Sequence, residues 1–298
     1  MAVETAVELK GRVRRFWDNQ PCGVRHGEAP PGTKGFYEAV EAHRYEAEFH
    51  IPAVAEFTQH QNERVLEIGG GLGTDGRQFA RNGARYVDAD LSGNSLSLAR
   101  QGFLLERLTG GFTQTDAESL PFASETFDLV YSHGVLHHTP DTERAIGEVF
   151  RVLKRGGKAI IMLYARESLG YVAAHFLGRA RLEHLRWKMG RVAFNQFVGL
   201  PADHRGWLPT QIAVNNSTDG LGNPLSKFYT ASELRTLFGR FGSVALEKHY
   251  FPRHKFPIIG PRLPRGVAAW LGRTAGSFWY IKAVKCCLLY TSDAADEL

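Results

Sequence analysis

Cysteine is scarce, with three in 298 residues. Cys22 stands alone and Cys286 and Cys287 are adjacent, so neither a disulfide framework nor a metal-ligand spacing can be built from them. No apolar run approaches the ~20 residues that a membrane span needs. Met1 to Arg15 alternates charged and apolar side chains where a signal peptide would carry an apolar core, and the expectation is a cytoplasmic protein. Acids are missing from 251–276, a stretch with four prolines and five Lys or Arg residues (Arg253, Lys255, Arg262, Arg265, Arg273). What is present is ordinary for a globular chain: 43% hydrophobic residues, enough for one large core or two modest ones. The segment 287–298 bears no relation to the strand pattern before it and reads as a translated transposon-type sequencing adaptor. Setting it aside removes Asp293, Asp296 and Glu297 and raises the formal net charge from +5 to +8. Such a balance favours anionic partners or a membrane surface.

The chain is organised around Val65-Leu66-Glu67-Ile68-Gly69-Gly70-Gly71-Leu72-Gly73-Thr74-Asp75. Residues of strand character run into glycines that can turn sharply, and a helical pattern follows from Gly76 to Ala84. Glycines at 69 and 71 let a ligand approach the backbone, and the helix start behind them supplies unpaired N–H donors. Gly71 to Gly76 also satisfies the G-x-G-x-x-G dinucleotide pattern. Glu67 discriminates, because an acid at the strand end repels a pyrophosphate but suits a cationic or hydroxyl-bearing ligand.

With Glu67, Gly69, Gly71 and Gly73 in acid-x-G-x-G-x-G order, the stretch resembles the first motif of the class I S-adenosylmethionine-dependent methyltransferases. The resemblance implies that Glu67 helps to hold the cofactor's methionine ammonium through the loop and that the glycines line its amino-acid portion and sulfonium. It also implies a Rossmann-like α/β fold: a mostly parallel seven-stranded sheet with an antiparallel last strand, and S-adenosyl-L-methionine as cofactor.

Downstream residues extend the pattern. Strands and helices alternate from Arg64, which argues for a parallel sheet with crossover helices. Strand two, Arg85 to Asp90, ends in an acid about the right distance from the first motif to meet ribose hydroxyls, with Leu91 beside it. Asp88 shares that strand face, and its position favours a structural role. In Thr115-Asp116-Ala117, the resemblance assigns Asp116 to the adenine amine and the Ala117 N–H to a ring nitrogen, while an Asx-turn would also select Asp. Strand four, Thr126 to Ser132, leads into His133-Gly134-Val135-Leu136-His137-His138-Thr139-Pro140-Asp141, which resembles the small-molecule branch that includes quinone and sterol methyltransferases. His133 is expected to face the cofactor. His137 and His138 are candidate general bases, since an imidazole accepts a proton near neutral pH, and loop packing is the alternative for both. No acid or cysteine is spaced to complete a metal site with them, and none is expected.

The remaining segments frame this core. Residues 1–60 read as an N-terminal helical lid, 61–164 and 228–285 as the methyltransferase core, and 165–227 as an inserted substrate cap. Within the first, Phe36 to Phe49 carries Tyr37, His43, Arg44, Tyr45, Glu46, Glu48 and His50, either covering the site or facing solvent. Within the cap, Tyr171 to Gly190 is helical, basic and amphipathic, suited to lie on a membrane or to close an apolar pocket. Asn215 to Pro224 reads as a turn-rich loop, and Thr230 with Glu233 as a capping box. Val244 to Tyr250 and Phe278 to Val284 read as the antiparallel last pair of strands, and the basic stretch 251–276 between them as a loop that docks on lipid headgroups or is solvated. The expected activity is in-line methyl transfer to an O, N or C nucleophile of a small, partly hydrophobic molecule. The alternatives are a non-catalytic S-adenosylmethionine-binding module and a nicotinamide-dependent oxidoreductase. Nucleic acid is not expected as a partner, because Ser132-His133-Gly134-Val135 stands where base-modifying enzymes carry Asn/Asp-Pro-Pro-aromatic.

Overall fold

The computed structural model describes residues 5–253, 256 and 260–286. The 287–298 segment, together with Lys255, Ile258 and Ile259 of the basic stretch, lies outside the described residues. The chain opens with α1 (Ala6–Asn19), where the Thr5 hydroxyl accepts from the Glu8 N–H and the Glu8 carboxylate accepts from the Thr5 N–H. Thr33 caps α2 (Lys34–Ala47), which buries Phe36, Tyr37 and Val40, and the short α3 (Ile51–Ala55) buries Ile51, Val54 and Ala55.

The sheet follows as β1 (Arg64–Ile68), α4 (Thr74–Arg81), β2 (Arg85–Asp90), α5 (Gly93–Leu105), β3 (Gly111–Gln114), β4 (Phe127–His133), α6 (Thr142–Val152) and β5 (Leu153–Tyr164). Next come the helices α7 (Leu169–Ala173), α8 (Arg179–Met189), α9 (Arg191–Phe197), α10 (Thr210–Thr218) and α11 (Ala231–Leu237). The chain closes with β6 (Ser243–His249), α12 (Arg265–Ala275) and β7 (Phe278–Val284). Seven strands lie in the order β3-β2-β1-β4-β5-β7-β6, with β7 antiparallel to both neighbours and the others parallel. The order reverses between β1 and β4, and the crevice at their carboxyl ends is where open α/β sheets receive ligands.

Period-two alternation divides the core between the sheet faces. Leu66, Val130 and Ile161 face α6 and α11 through Ile146, Val149 and Leu234. Val65, Leu129 and Ile160 face the other way, onto Phe79 of α4 and the N-terminal Phe57. Phe79 has no solvent exposure and lies edge-on to Phe57 at 4.9 Å and Tyr131 at 5.4 Å. Among the described residues, no helix is long and apolar enough to cross a membrane.

Three segments differ from the sequence pattern. The sixth helix stops at Val152, and Leu153 already belongs to β5, pairing with Phe127 before the register shifts so that Leu129 meets Lys158. Gly156, at φ +75°, absorbs that irregularity inside the strand. Asn215 and Asn216 sit in helix α10 and not in a turn-rich loop. Ala213 packs there against Leu182, Phe194 and Leu208, and the Asn216 side-chain amide donates to the Ile212 carbonyl at 2.9 Å. The stretch 251–276 contains α12, whose Gly272 packs against the backbone where β6 ends.

Truncating Phe79 to Ala removes a ring at the junction of α4, the sheet and the N-terminal helices. Phe79→Ala is expected to lower unfolding free energy by about 3–5 kcal/mol, read from chemical denaturation midpoints at an unchanged slope.

Candidate functional site

At the carboxyl end of β1 the chain turns through Gly69 (φ +77°) and Gly71 (φ +58°). A Cβ on Gly69 would strike the Val135 side chain at 2.3 Å, whereas one on Gly71 would meet nothing within 4 Å. Gly69 is therefore required for close approach of the β4 loop, and Gly71 leaves open space above the turn. Beneath the turn lie three acids. The Asp88 carboxylate accepts from the Gly70 N–H at 3.0 Å, and Asp90 accepts from the N–H groups of Gly71 (3.2 Å) and Ser92 (2.8 Å). Glu67 accepts from the Tyr86 hydroxyl at 2.6 Å, and burial, reinforced by Asp75, raises its pKa to about 8.

A cavity of about 320 Å³ opens above this corner. Of the residues expected around a cofactor, Gly69, Gly71, Asp90, Leu91, Asp116, Ala117 and His133 line it. Glu67 and Gly73 do not; Glu67 is sealed below the turn by Tyr86, and a Cβ on Gly73 would press on α5 at Ala99. Between the two candidate bases, His138 lines the cavity and His137 is fully buried behind it, its ring stacked on Tyr164 at 3.8 Å. His138 Nδ1 lies 2.5 Å from the Leu225 carbonyl, which can only accept, so the neutral ring carries its proton there. Its Nε2 is buried without a hydrogen-bond partner.

Residues outside the expected cofactor set complete the walls, among them Arg44 and Glu48 of the helix read as covering the site or facing solvent. Lys10 of α1 pairs with Asp116 and, at 2.7 Å, with Glu118, bringing the first helix over the expected adenine edge. Arg44 of α2 grips Asp75 with two nitrogens (Nε to Oδ1 2.9 Å, Nη2 to Oδ2 2.5 Å), and the Tyr45 and Tyr131 hydroxyls donate to the same carboxylate at 2.9 Å. Burial alone would raise Asp75; Arg44 holds it down at about 2. One turn further along, Glu48 also lines the cavity, 3.3 Å from His133 Nε2. Burial pushes Glu48 up to about 7. Burial, aided by Arg44, drives His133 well below the ordinary histidine range, so its ring is neutral.

At its other end the cavity is walled by aromatic rings. Tyr250 and Phe278 stack at 4.4 Å, and Tyr164 lies 5.7 Å from Phe278 and 5.2 Å from Phe228. The Tyr164 hydroxyl donates to Asp219 at 2.5 Å, tying β5 to the segment after α10. One end thus offers two carboxylates, exposed backbone and an open space where a side chain would sit. The other offers flat apolar walls. This donor and acceptor set fits a nucleoside joined to an amino acid: Asp90 for paired hydroxyls, Asp116 and Ala117 for a purine edge, and Gly71 for the polar chain between.

A family model described as a methyltransferase domain matches residues 66–161. The demethylmenaquinone methyltransferase of Thermobifida fusca (strain YX) is 36% identical over 204 residues, covering 67% of this chain and 82% of that protein. Phosphoethanolamine N-methyltransferase 2 of Caenorhabditis elegans is 34% identical over 106 residues, 35% of this chain; the chain spans only 24% of that protein's length and about half (52%) of the ubiquinone/menaquinone biosynthesis C-methyltransferases of Vibrio campbellii and Vibrio parahaemolyticus. Among solved structures, magnesium protoporphyrin IX methyltransferase from Synechocystis PCC 6803 with bound SAH shares the fold, with TM-score 0.54, 14% identity and coverage of 93% and 99% of the two chains. The chain belongs to the class I S-adenosylmethionine-dependent methyltransferases.

Proposed function

We propose that the protein transfers the sulfonium methyl group of S-adenosylmethionine to an O, N or C nucleophile of a small, partly hydrophobic molecule. The observation that supports this most directly is a single cavity joining the Gly71–Asp90–Asp116 edge to the chamber of Tyr164, Phe228, Tyr250 and Phe278. Bound there, the cofactor supplies an electrophilic methyl; the protein's work is to align an acceptor with it and to exclude water. In this reading 1–60 is the lid, 165–227 the cap that selects the acceptor, and 61–164 with 228–285 the core. Asp90 holds the ribose, Asp116 and Ala117 the adenine with Leu91 beside them, and Gly69, Gly71 and His133 border the amino-acid and sulfonium end. Glu67 and Gly73 act from below, by fixing the shape of the turn.

Where the acceptor must lose a proton, His138 is the base: its ring lines the cavity, Nδ1 is committed to Leu225, and Nε2 is left without a hydrogen-bond partner, 3.8 Å from Asp219. His137 supports the Tyr164 wall from behind. The exposed Phe176, Leu177 and Trp187 among Arg181 and Lys188, together with Trp270 on α12, are the surface we assign to peripheral contact with an anionic bilayer, from which a hydrophobic acceptor would be drawn.

Incubation with methyl-labelled S-adenosylmethionine and metabolite extracts is expected to label a low-molecular-weight product; calorimetric binding of NAD without S-adenosylhomocysteine would instead favour the oxidoreductase reading. Asp90→Ala should weaken S-adenosylhomocysteine by ~10–100-fold, far more than Asp88→Ala, with equal losses contradicting the ribose role. His138→Ala should lower kcat on the labelled acceptor ~10²–10⁴-fold while leaving S-adenosylhomocysteine affinity within about twofold. Co-sedimentation with phosphatidylglycerol vesicles but not phosphatidylcholine vesicles, lost in Trp187→Glu, is expected for the bilayer contact.

A further inference from the structure

Among the charged side chains that line the cavity, one stands unanswered. Arg44 is matched by Asp75, Lys10 by Asp116 and Glu118, and Asp90 by two backbone N–H groups. Asp219 accepts from Tyr164, Asn223 and Ser226. Glu48 Oε2 is buried and accepts no hydrogen bond. Its nearest cation is Arg44, whose Nη1 lies 4.0 Å away while the same guanidinium grips Asp75. The facing His133 Nε2 is neutral and already stands 2.7 Å from the Tyr280 hydroxyl. A carboxylate oxygen held out of water without a donor is costly unless a cation arrives.

Chain geometry says where that cation would sit. Asp75 lies in the first turn of α4, directly after the glycine corner, so its pair with Arg44 brings the end of α2 over the corner. Glu48 is one helical turn beyond Arg44 and caps that helix. His133 ends β4, the direct neighbour of β1, which feeds the same corner. Glu48 therefore lines the same cavity as Gly69 and Gly71.

We propose that Glu48 binds the α-ammonium group of S-adenosylmethionine and of S-adenosylhomocysteine, so that the N-terminal helices contribute a direct ligand to the amino-acid end of the cofactor. This inference rests on the cofactor reading above and replaces Glu67, sealed under Tyr86, as the group that touches the ammonium. The free state carries the consequence: with no cation present burial lifts Glu48 to about 7, and a bound ammonium would return it to the ionised form. The groups facing it are Arg44 on its own helix, Asp75 on α4, His133 on β4, and Tyr250 and Tyr280 from the β6 and β7 edge. Arg44 and Asp75 keep their charges near neutrality, and His133 and both tyrosines stay neutral.

The test compares S-adenosylhomocysteine with 5′-methylthioadenosine, which keeps the nucleoside and sulfur but lacks the amino acid. By titration calorimetry, Glu48→Gln should weaken S-adenosylhomocysteine about 10- to 100-fold and 5′-methylthioadenosine by less than about twofold. In the wild type, titrations at pH 7 in buffers of differing ionisation enthalpy should show about half a proton released per S-adenosylhomocysteine bound, since a group with a pKa of about 7 is half protonated there. The wild-type preference for S-adenosylhomocysteine over 5′-methylthioadenosine should also fall roughly tenfold between pH 8 and 6, a reading that needs no variant. Equal losses for both ligands, a flat preference across pH, or full affinity with lost methyl transfer in Glu48→Gln would overturn the assignment, the last by making Glu48 a base toward the acceptor. If neither compound binds the wild-type chain, the cofactor reading itself fails.

Discussion

The pair between Arg44 and Asp75 is the constraint on which the site depends. It fixes the end of α2 beside the glycine corner and neutralises a carboxylate that is otherwise buried. Asp75 reaches its low pKa despite complete burial because four donors converge on it, two from Arg44 and one each from Tyr45 and Tyr131. Those donors come from α2 and β4, so one side chain records the relative placement of the N-terminal helices, the glycine corner and the central sheet. Breaking one partner of such a pair leaves a bare buried charge, which is why the geometry is strongly determined. Arg77 repeats the arrangement two residues later on α4, joining Glu41 of α2 at 3.3 Å to Glu106 after α5 at 2.9 Å. With Arg81, which also pairs with Glu41 at 2.8 Å, three ion-paired positions on one short helix thus anchor the same α2.

The sheet was largely legible in the sequence. β1, β2 and β7 have the limits that the residue pattern suggests, because runs such as Val65-Leu66 and Trp279-Tyr280-Ile281 are apolar on both faces and are bounded by glycine or charge. The capping box at Thr230 and Glu233 was readable for the same local reason: donor and acceptor lie three residues apart. Where local signals misled, a tertiary term prevailed. Asn215 and Asn216 favour turns in isolation, yet Ala213 and Leu208 bury their segment as helix against Leu182 and Phe194. Gly156 marks a strand irregularity, since pairing with β4 continues through it.

Site residues divide along the same line. Acids at strand ends could be found by spacing, because the sheet fixes how far apart successive strand ends fall. Lys10, Arg44 and Glu48 could not, since nothing near them in sequence shows that their partners lie 106, 31 and 85 residues away. Arg44 and Glu48 leave a trace in the density of polar tips between Tyr37 and His50, and Lys10 leaves none. The two histidines after β4 were indistinguishable by sequence and differ in the fold because the short helical turn Leu136–His138 rotates one ring behind Tyr164 and the other toward the cavity.

The electrostatic consequence is a division of labour along the cavity. An ammonium is present in both the methyl donor and its demethylated product, so a carboxylate such as Glu48 cannot tell them apart and adds equally to the affinity for each. Only the sulfonium charge distinguishes the two, and of the carboxylates that line the cavity Asp219 already accepts from Tyr164, Asn223 and Ser226. The ring faces of Tyr164, Tyr250 and Phe278 remain, and aromatic faces attract a diffuse cation by about 0.5–2 kcal/mol each. Such an attraction vanishes when the charge is neutralised by transfer, whereas a carboxylate would hold the charged ground state more firmly and raise the barrier. An aromatic chamber at the reacting end and a carboxylate at the amino-acid end therefore place strong binding where the charge is unchanged and weak binding where it is lost.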